Sequence, residues 1–363
     1  MVKFFILIIV TYLLGNIYIF VRGLQALGHL STTIRVTFIV FYWLFALLLI
    51  VVMAARNSQM PFLLGHTIFQ IGSGWLVFIL YMVIFLLCMD IIKIFNKSFS
   101  YGFVTALILT VSLLIYGFIN YKHPKKQVIN IAVNKPLNNG NKLRIVAVSD
   151  WHLGYGTTEA SLRKNVDLIN EQKPDIILIG GDLIDNSIIP VVSQGMDKEL
   201  NRLEAPMGIY MAPGNHEYIS GLKQCEEFIS KTKIQLLIDK AITLPCGLQI
   251  IGRNDYSNIN RMNAHDWKKT TDSSLPTIII DHQPQNLNEA MQIGADIQFS
   301  GHTHNGQVFP LNLITSRLFE LSYGYEKRED THFYVSSGFT LWGPPFRIGS
   351  VSEFVVFDCT FTK

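Results

Sequence analysis

Gly301-His302-Thr303-His304-Asn305-Gly306-Gln307 sets two imidazoles one residue apart among small, flexible neighbours. Such a stretch is poor material for a hydrophobic core and suits a turn that presents neutral nitrogen ligands to metal ions. The preceding Ala295-Asp296-Ile297-Gln298-Phe299-Ser300 reads as a short strand feeding that turn. A lone His-x-His is a weak signal. Its reading depends on whether other strands deliver carboxylates and imidazoles in the same manner.

Four further strand ends repeat the pattern. Ile145-Val146-Ala147-Val148 runs into Ser149-Asp150-Trp151-His152, where Asp150 and His152, two apart, face one side of an extended chain. Ile176-Ile177-Leu178-Ile179 runs into Gly180-Gly181-Asp182-Leu183-Ile184-Asp185. Gly208-Ile209-Tyr210-Met211 runs into Ala212-Pro213-Gly214-Asn215-His216-Glu217, and Thr277-Ile278-Ile279-Ile280 into Asp281-His282-Gln283-Pro284. Taken singly, each has an ordinary explanation. An Asp at a strand end forms turns or caps helices, Asn-His is a surface turn, and a lone histidine fits a core. Five coinciding at strand ends point to one shared site. Its carboxylates and imidazoles, without thiolate, suit Mn, Fe or Zn rather than a cysteine-rich structural zinc.

Asp-x-His, Gly-Asp-x-x-Asp, Gly-Asn-His-Glu, His and Gly-His-x-His, in this order over about Leu143–Phe357, resemble the calcineurin-like metallophosphoesterases. Gly306-Gln307 and Ser337-Gly338…Pro344-Pro345-Phe346-Arg347 resemble the bacterial membrane-associated subgroup. Trp151 departs from the pattern, where a smaller residue is commoner, at a position that is not a ligand. The resemblance implies an α/β domain of two packed mixed β-sheets flanked by helices, holding two divalent metal ions. It implies Asp150, His152, Asp182 and His304 around one metal, and Asp182, Asn215, His282 and His302 around the second, with Asp182 bridging. Two metals about 3.5–4 Å apart clamp a phosphoryl group and activate a water for in-line attack. His216 would then protonate the leaving oxygen or stabilise its charge, with Asp185 orienting it, which makes these two the catalytic pair. Glu217 is expected to be structural, and Arg347 a surface arginine rather than a phosphate contact.

Around this site the composition divides the 363 residues. The first third is dominated by Phe, Ile, Leu, Val and Tyr, with Asp90 its only acidic residue. Its apolar runs, Phe4–Val21, Val36–Ala55, Trp75–Phe95 and Phe103–Ile119, each approach the roughly 20 residues that cross a hydrocarbon core of about 30 Å. Four in succession predict a transmembrane region over residues 1–120 rather than buried core helices. A basic juxtamembrane linker and first strand follow over residues 121–142, and the phosphoesterase-like domain over residues 143–363. The first run lacks the small-residue cleavage site of a signal peptide. With almost nothing inside the runs able to ionise, they read as an anchor rather than an ion-coupled transporter. Lys3, Arg56, Lys122, Lys125 and Lys126 on one side, against Arg22, Arg35, Lys93 and Lys97 on the other, favour by one charge a polar domain on the cytoplasmic face of a bacterial cell membrane. A formal charge of +3 with no basic stripe argues against nucleic-acid binding. Cys88, Cys225, Cys246 and Cys359 form no CxxC and lean towards a reducing compartment.

In the polar part, strands are also expected at Gln127–Val133, Ile234–Ile238, Gln249–Ile251, Phe333–Ser336 and Glu353–Phe357, and helices at Ser161–Asn170, Met196–Leu203 and Leu222–Lys231. Asn254–Ser274, without a clear period, reads as a loop over the site. Early strand–helix alternation and a strand-rich end suggest packed sheets flanked by helices, with the chemistry on loops beyond strand ends. The whole predicts a membrane-anchored phosphohydrolase for a phosphodiester or pyrophosphate bond. The anchor points to a lipid-linked or nucleotide-linked substrate such as an acylated UDP-glucosamine. Soluble enzymes for that substrate carry Arg where His216 stands, so this chain would belong to another branch. The alternative is a non-catalytic membrane-anchored binding or scaffold protein on the same fold. Lost ligands would mark it, and none is missing.

Overall fold

The computed structural model describes residues 2–54 and 60–362. Ala55 and Arg56, the end of one predicted run and one of the counted charges, lie outside the described residues. The chain forms two compact units, Met1–Asn120 with Gly343–Ile348, and Tyr121–Trp342 with Gly349–Lys363.

In the helical unit, α1 (Val2–Ala26), α2 (Thr32–Ala54), α3 (Phe62–Phe95) and α4 (Gly102–Tyr121) are each long and apolar enough to cross a membrane. α3 starts well before the predicted Trp75. Gly65, His66, Gln70, Gly72, Ser73 and Gly74 lower the hydropathy of its first half, yet small residues in apolar helices let backbones approach. A Cβ on Gly72 would lie 3.0–3.1 Å from backbone atoms of Leu48 and Leu49 on α2. The predicted first run ends at Val21, but α1 continues to Ala26 and carries Arg22 within a candidate span. That charge is matched by Asp90 of α3, which also accepts a 2.6 Å hydrogen bond from the Tyr18 hydroxyl.

Gly343–Ile348 belongs to this unit although it falls late in the chain. The Arg347 N–H donates to the Gly117 carbonyl of α4 at 3.0 Å, and Asn120 Nδ2 donates to the Arg347 carbonyl at 2.9 Å. Arg347 is 0% exposed, which corrects the expected surface arginine. Its segment packs against a helix instead of looping through water.

The second unit holds twelve strands: β1 (Lys125–Val133), β2 (Lys142–Val148), β3 (Ile176–Ile179), β4 (Ile209–Met211), β5 (Ile234–Leu236), β6 (Lys240–Thr243), β7 (Gln249–Gly252), β8 (Thr277–Ile280), β9 (Ile297–Ser300), β10 (Gly324–Arg328), β11 (Thr331–Val335) and β12 (Glu353–Phe361). They form two six-stranded sheets, ordered β1-β12-β2-β3-β4-β5 and β10-β11-β9-β8-β7-β6. Both are mixed. β2 through β5 run parallel and so do β7, β8, β9 and β11, while β12–β2, β10–β11 and β6–β7 pair antiparallel.

Alternation along the strands builds the layers. Ile145, Ala147, Ile176 and Leu178 meet Ile250, Ile278, Ile280 and Phe299 in the core between the sheets. Val146, Val148, Ile177 and Ile179 point the other way, onto Leu162, Val166 and Ile169 of the helix Glu159–Asn170. Ile251, Ile279 and Phe333 do the same on the far sheet, against Trp267, Ala290 and Ile293. The predicted α/β architecture of two mixed sheets flanked by helices is present. Asn254–Ser274 is a loop only as far as Asn263. Asn263 then caps the helix Ala264–Thr270 by accepting the Asp266 N–H at 3.0 Å.

Candidate metal centre

Because β2, β3 and β4 are parallel, their C-terminal ends open on one edge of the first sheet, and those of β8 and β9 on one edge of the second. The five predicted stretches follow those five ends. Among the described residues they form three donor groups whose ligand atoms lie within 4.8 Å of one another: Asp150, His152 and His304; Asp182, His282 and His302; and His152, Asp182 and His216. Most of these side chains are buried; Asn215 and His302 are half-buried.

Asp182 links the first two groups. Its Oδ2 lies 3.2 Å from His282 Nε2 and 3.8 Å from His152 Nε2. His152 Nε2 faces His304 Nε2 at 3.1 Å, and His304 Nε2 is 3.3 Å from Asp150 Oδ1. On the other side, Asn215 Oδ1 lies 3.2 Å from His282 Nε2 and 2.9 Å from His302 Nδ1. At 3.1 Å the two imidazole nitrogens can share one proton, or both can turn their lone pairs to one ion. That donor set of buried oxygens and imidazoles fits two divalent cations.

The surroundings fix the ring orientations. His282 Nδ1 donates to the Gly180 carbonyl at 2.7 Å and His152 Nδ1 lies 3.2 Å from Asp185 Oδ1, which leaves each Nε2 for a ligand role. The His216 Nδ1 donates to the Asp185 carbonyl at 2.8 Å, and its ring stands edge-on to His152 with centroids 4.6 Å apart. Glu217 accepts three backbone N–H groups, from Asp182 at 3.0 Å, Ile184 at 3.0 Å and Gly214 at 2.7 Å. It braces the two loops that carry Asp182 and Asn215. The close approach of those loops needs a residue without a side chain: a Cβ on Gly214 would fall 2.2 Å from Asp182 Oδ1.

Backbone strain is concentrated here. Asp150, His152, Asp182, His302 and His304 all have φ between 43° and 70°. For residues other than glycine this costs on the order of 1–3 kcal/mol each, held by the structure around them.

The charges pull on one another strongly. Burial raises the Asp182 carboxyl, but His282, His216 and His152 more than offset it and hold it well below the usual range. Burial likewise lowers His282, and Asp182 reverses this and lifts it well above an ordinary histidine. A cation beside Asp182 takes the place of that proton, which is how ligand protonation and metal binding compete. Burial and then His282 push His302 down to about 4, a neutral donor. For His216, burial lowers the pKa while the Asp185 hydrogen bond and the Asp182 and Asp185 charges raise it to about 9.

Trp151, the departure from the motif pattern, turns away from the donors into the helix-side core, 5.5 Å from the Phe339 ring. Sequence reading missed the support behind His282. Arg261, from the loop after Asn254, grips both oxygens of Asp281, and Gln283 Nε2 donates to Asp255 at 2.8 and 3.1 Å. Arg261 lies in a stretch without periodicity, so nothing in the sequence singled it out.

The sequence profile of the calcineurin-like phosphoesterase family matches residues 143–306. An uncharacterized metallophosphoesterase of Campylobacter jejuni is 29% identical, over 98% of this chain and 97% of its own. Another, of Aquifex aeolicus, is 30% identical over 61% of this chain and 86% of its own. A transmembrane protein with metallophosphoesterase domain from Danio rerio is 32% identical over 69% of this chain and 61% of its own.

Proposed function

This chain belongs to the calcineurin-like phosphoesterase family, and we propose that it is a membrane-anchored phosphohydrolase of the bacterial membrane-associated subgroup. Its reaction in this reading is hydrolysis of a phosphodiester or pyrophosphate bond in a lipid-linked or nucleotide-linked amphiphile, of the kind an acylated UDP-glucosamine represents. The observation that carries the reading is Asp182 Oδ2 standing between two buried donor groups in a chain with four candidate spans.

Asp150, His152 and His304 would hold one cation, Asn215, His282 and His302 the other, and Asp182 both. When bound, such a pair neutralises a phosphoryl group and supplies a water-derived nucleophile near neutral pH. The chain's own residues do the rest. Asp185 and the Gly180 carbonyl keep His152 and His282 turned with Nε2 inward. His216, whose proton the Asp185 carboxylate helps to hold, would give it to the leaving oxygen. Its Nδ1 is committed to Asp185, so Nε2 is the atom that serves this step.

The test is a substrate panel on the purified full-length protein with added Mn, Fe or Zn. A nitrophenyl phosphodiester and a nucleotide-diphosphate-linked lipid should be cleaved faster than a phosphomonoester. Cleavage of the monoester alone would contradict the reading.

A further inference from the structure

The helix Asn312–Leu318 follows closely on the His302–His304 turn and differs from its neighbours. Every other described α-helix of the Tyr121–Trp342 unit buries at least two side chains; this one buries none. Yet three of its seven residues are large aliphatics. Leu318 is 71% exposed, Ile314 54% and Leu313 47%, and Phe309 and Leu311 just before them are exposed as well. Its one charged residue, Arg317, stands beside them.

Two ties hold this helix in its own unit. Phe319, which ends the helix, packs its ring against the His302 imidazole with centroids 5.9 Å apart. At the other end, Gln307 exchanges two 3.0 Å hydrogen bonds with the backbone of Trp342, and the Gln307 carbonyl accepts from Ser350 Oγ at 2.6 Å. Trp342 and Gly349 are the residues at which the chain leaves for the helical unit and returns from it. Between them, Arg347 is hydrogen-bonded to Gly117 in a candidate span. Trp342 is itself 54% exposed. Exposed aliphatic side chains with a tryptophan and a basic residue are the composition of elements that lie in the boundary between headgroups and acyl chains.

We propose that Phe309, Leu311, Leu313, Ile314, Leu318 and Trp342 form an interfacial element that beds into the bilayer the chain spans, beside His302. It rests on the reading of this site as one that serves a membrane-borne amphiphile, and it adds how the site reaches that amphiphile. The occupant is the bilayer itself. An isolated patch of this kind in water would be an aggregation liability; within a lipid surface its burial is favourable.

The experiment places a nitroxide at Ile314→Cys or Leu318→Cys in the full-length protein, in a Cys88→Ala background because the other three cysteines are buried. Ile259→Cys, at a site 97% exposed, is the aqueous control. In nanodiscs of mixed zwitterionic and anionic phospholipid, the labels at 314 and 318 should be reached more readily by oxygen than by a nickel chelate, and the label at 259 the reverse. Nickel-favoured labels at both 314 and 318 would overturn the proposal. So would labels that are aqueous in nanodiscs and become shielded only when an acylated substrate is added, because the face would then belong to the substrate's chains. The readout needs neither substrate nor turnover. Lipid-buried labels on a protein inactive against lipid-linked diphosphates would refute the substrate reading and leave the interfacial element standing.

Discussion

Asp185 touches both His152 and His216, so one carboxylate orients a proposed ligand and sets the charge of the proposed acid. Asp185→Asn removes the carboxylate charge beside the His216 ring that helps hold its proton, while the backbone carbonyl that Nδ1 donates to stays. The acid form is then lost at lower pH, and the alkaline limb of the pH–rate profile should move down. A profile that only falls in height would assign Asp185 to orientation alone. His216→Ala should keep its metals and lose about 10²–10⁴-fold in turnover, with a smaller loss for nitrophenolate than for alkoxide leaving groups. Equal losses across leaving groups would make His216 a positioning residue. At this scale the sequence was informative because ligand chemistry restricts residue types: an Asp or His at each of five strand ends has few other uses in combination. Glu217 was read as structural, and its three backbone acceptor contacts give that reading its physical content. Arg261 was illegible because a buried guanidinium paired to Asp281 depends on a fold contact twenty residues away in sequence.

Elements were legible where burial is two-sided or strictly alternating. β3, β8 and β9 are buried at every position and stand within the apolar runs that predict them. β6 and β10 were missed. Both are edge strands with mixed exposure, and sequences such as Lys240-Ala241-Ile242-Thr243 and Gly324-Tyr325-Glu326-Lys327-Arg328 carry no core-facing signal of their own. α3 was cut short for a different reason, since hydropathy counts glycine against a span while helix packing favours it. Gly72→Val should therefore force α2 and α3 apart and cost about 1–3 kcal/mol, the usual scale of overpacking. A lowered midpoint of thermal unfolding in detergent is expected. An unchanged midpoint would say that the two backbones do not approach at Leu48.

The whole molecule was the least legible from sequence. Composition separates an apolar third from a polar remainder, but it cannot show that Gly343–Ile348 rejoins the helical unit. A fragment lacking the helices would strip the cover from Arg347 and Ile348, so tests of membrane dependence belong on the full chain. Surface dilution supplies one. At fixed bulk concentration of a lipid-linked substrate, adding detergent should slow its hydrolysis, while hydrolysis of a soluble nitrophenyl phosphodiester stays constant. Equal rates at all dilutions would reduce the helices to a tether. The proposed catalysis depends on two cations sharing Asp182, and metal content per chain tests that most directly. Purified full-length protein should carry two transition-metal ions per chain, and Asp182→Ala should lose most of both, because the shared carboxylate no longer offsets the cations' repulsion. Full occupancy in Asp182→Ala, or a single ion in the unaltered chain, would contradict the account.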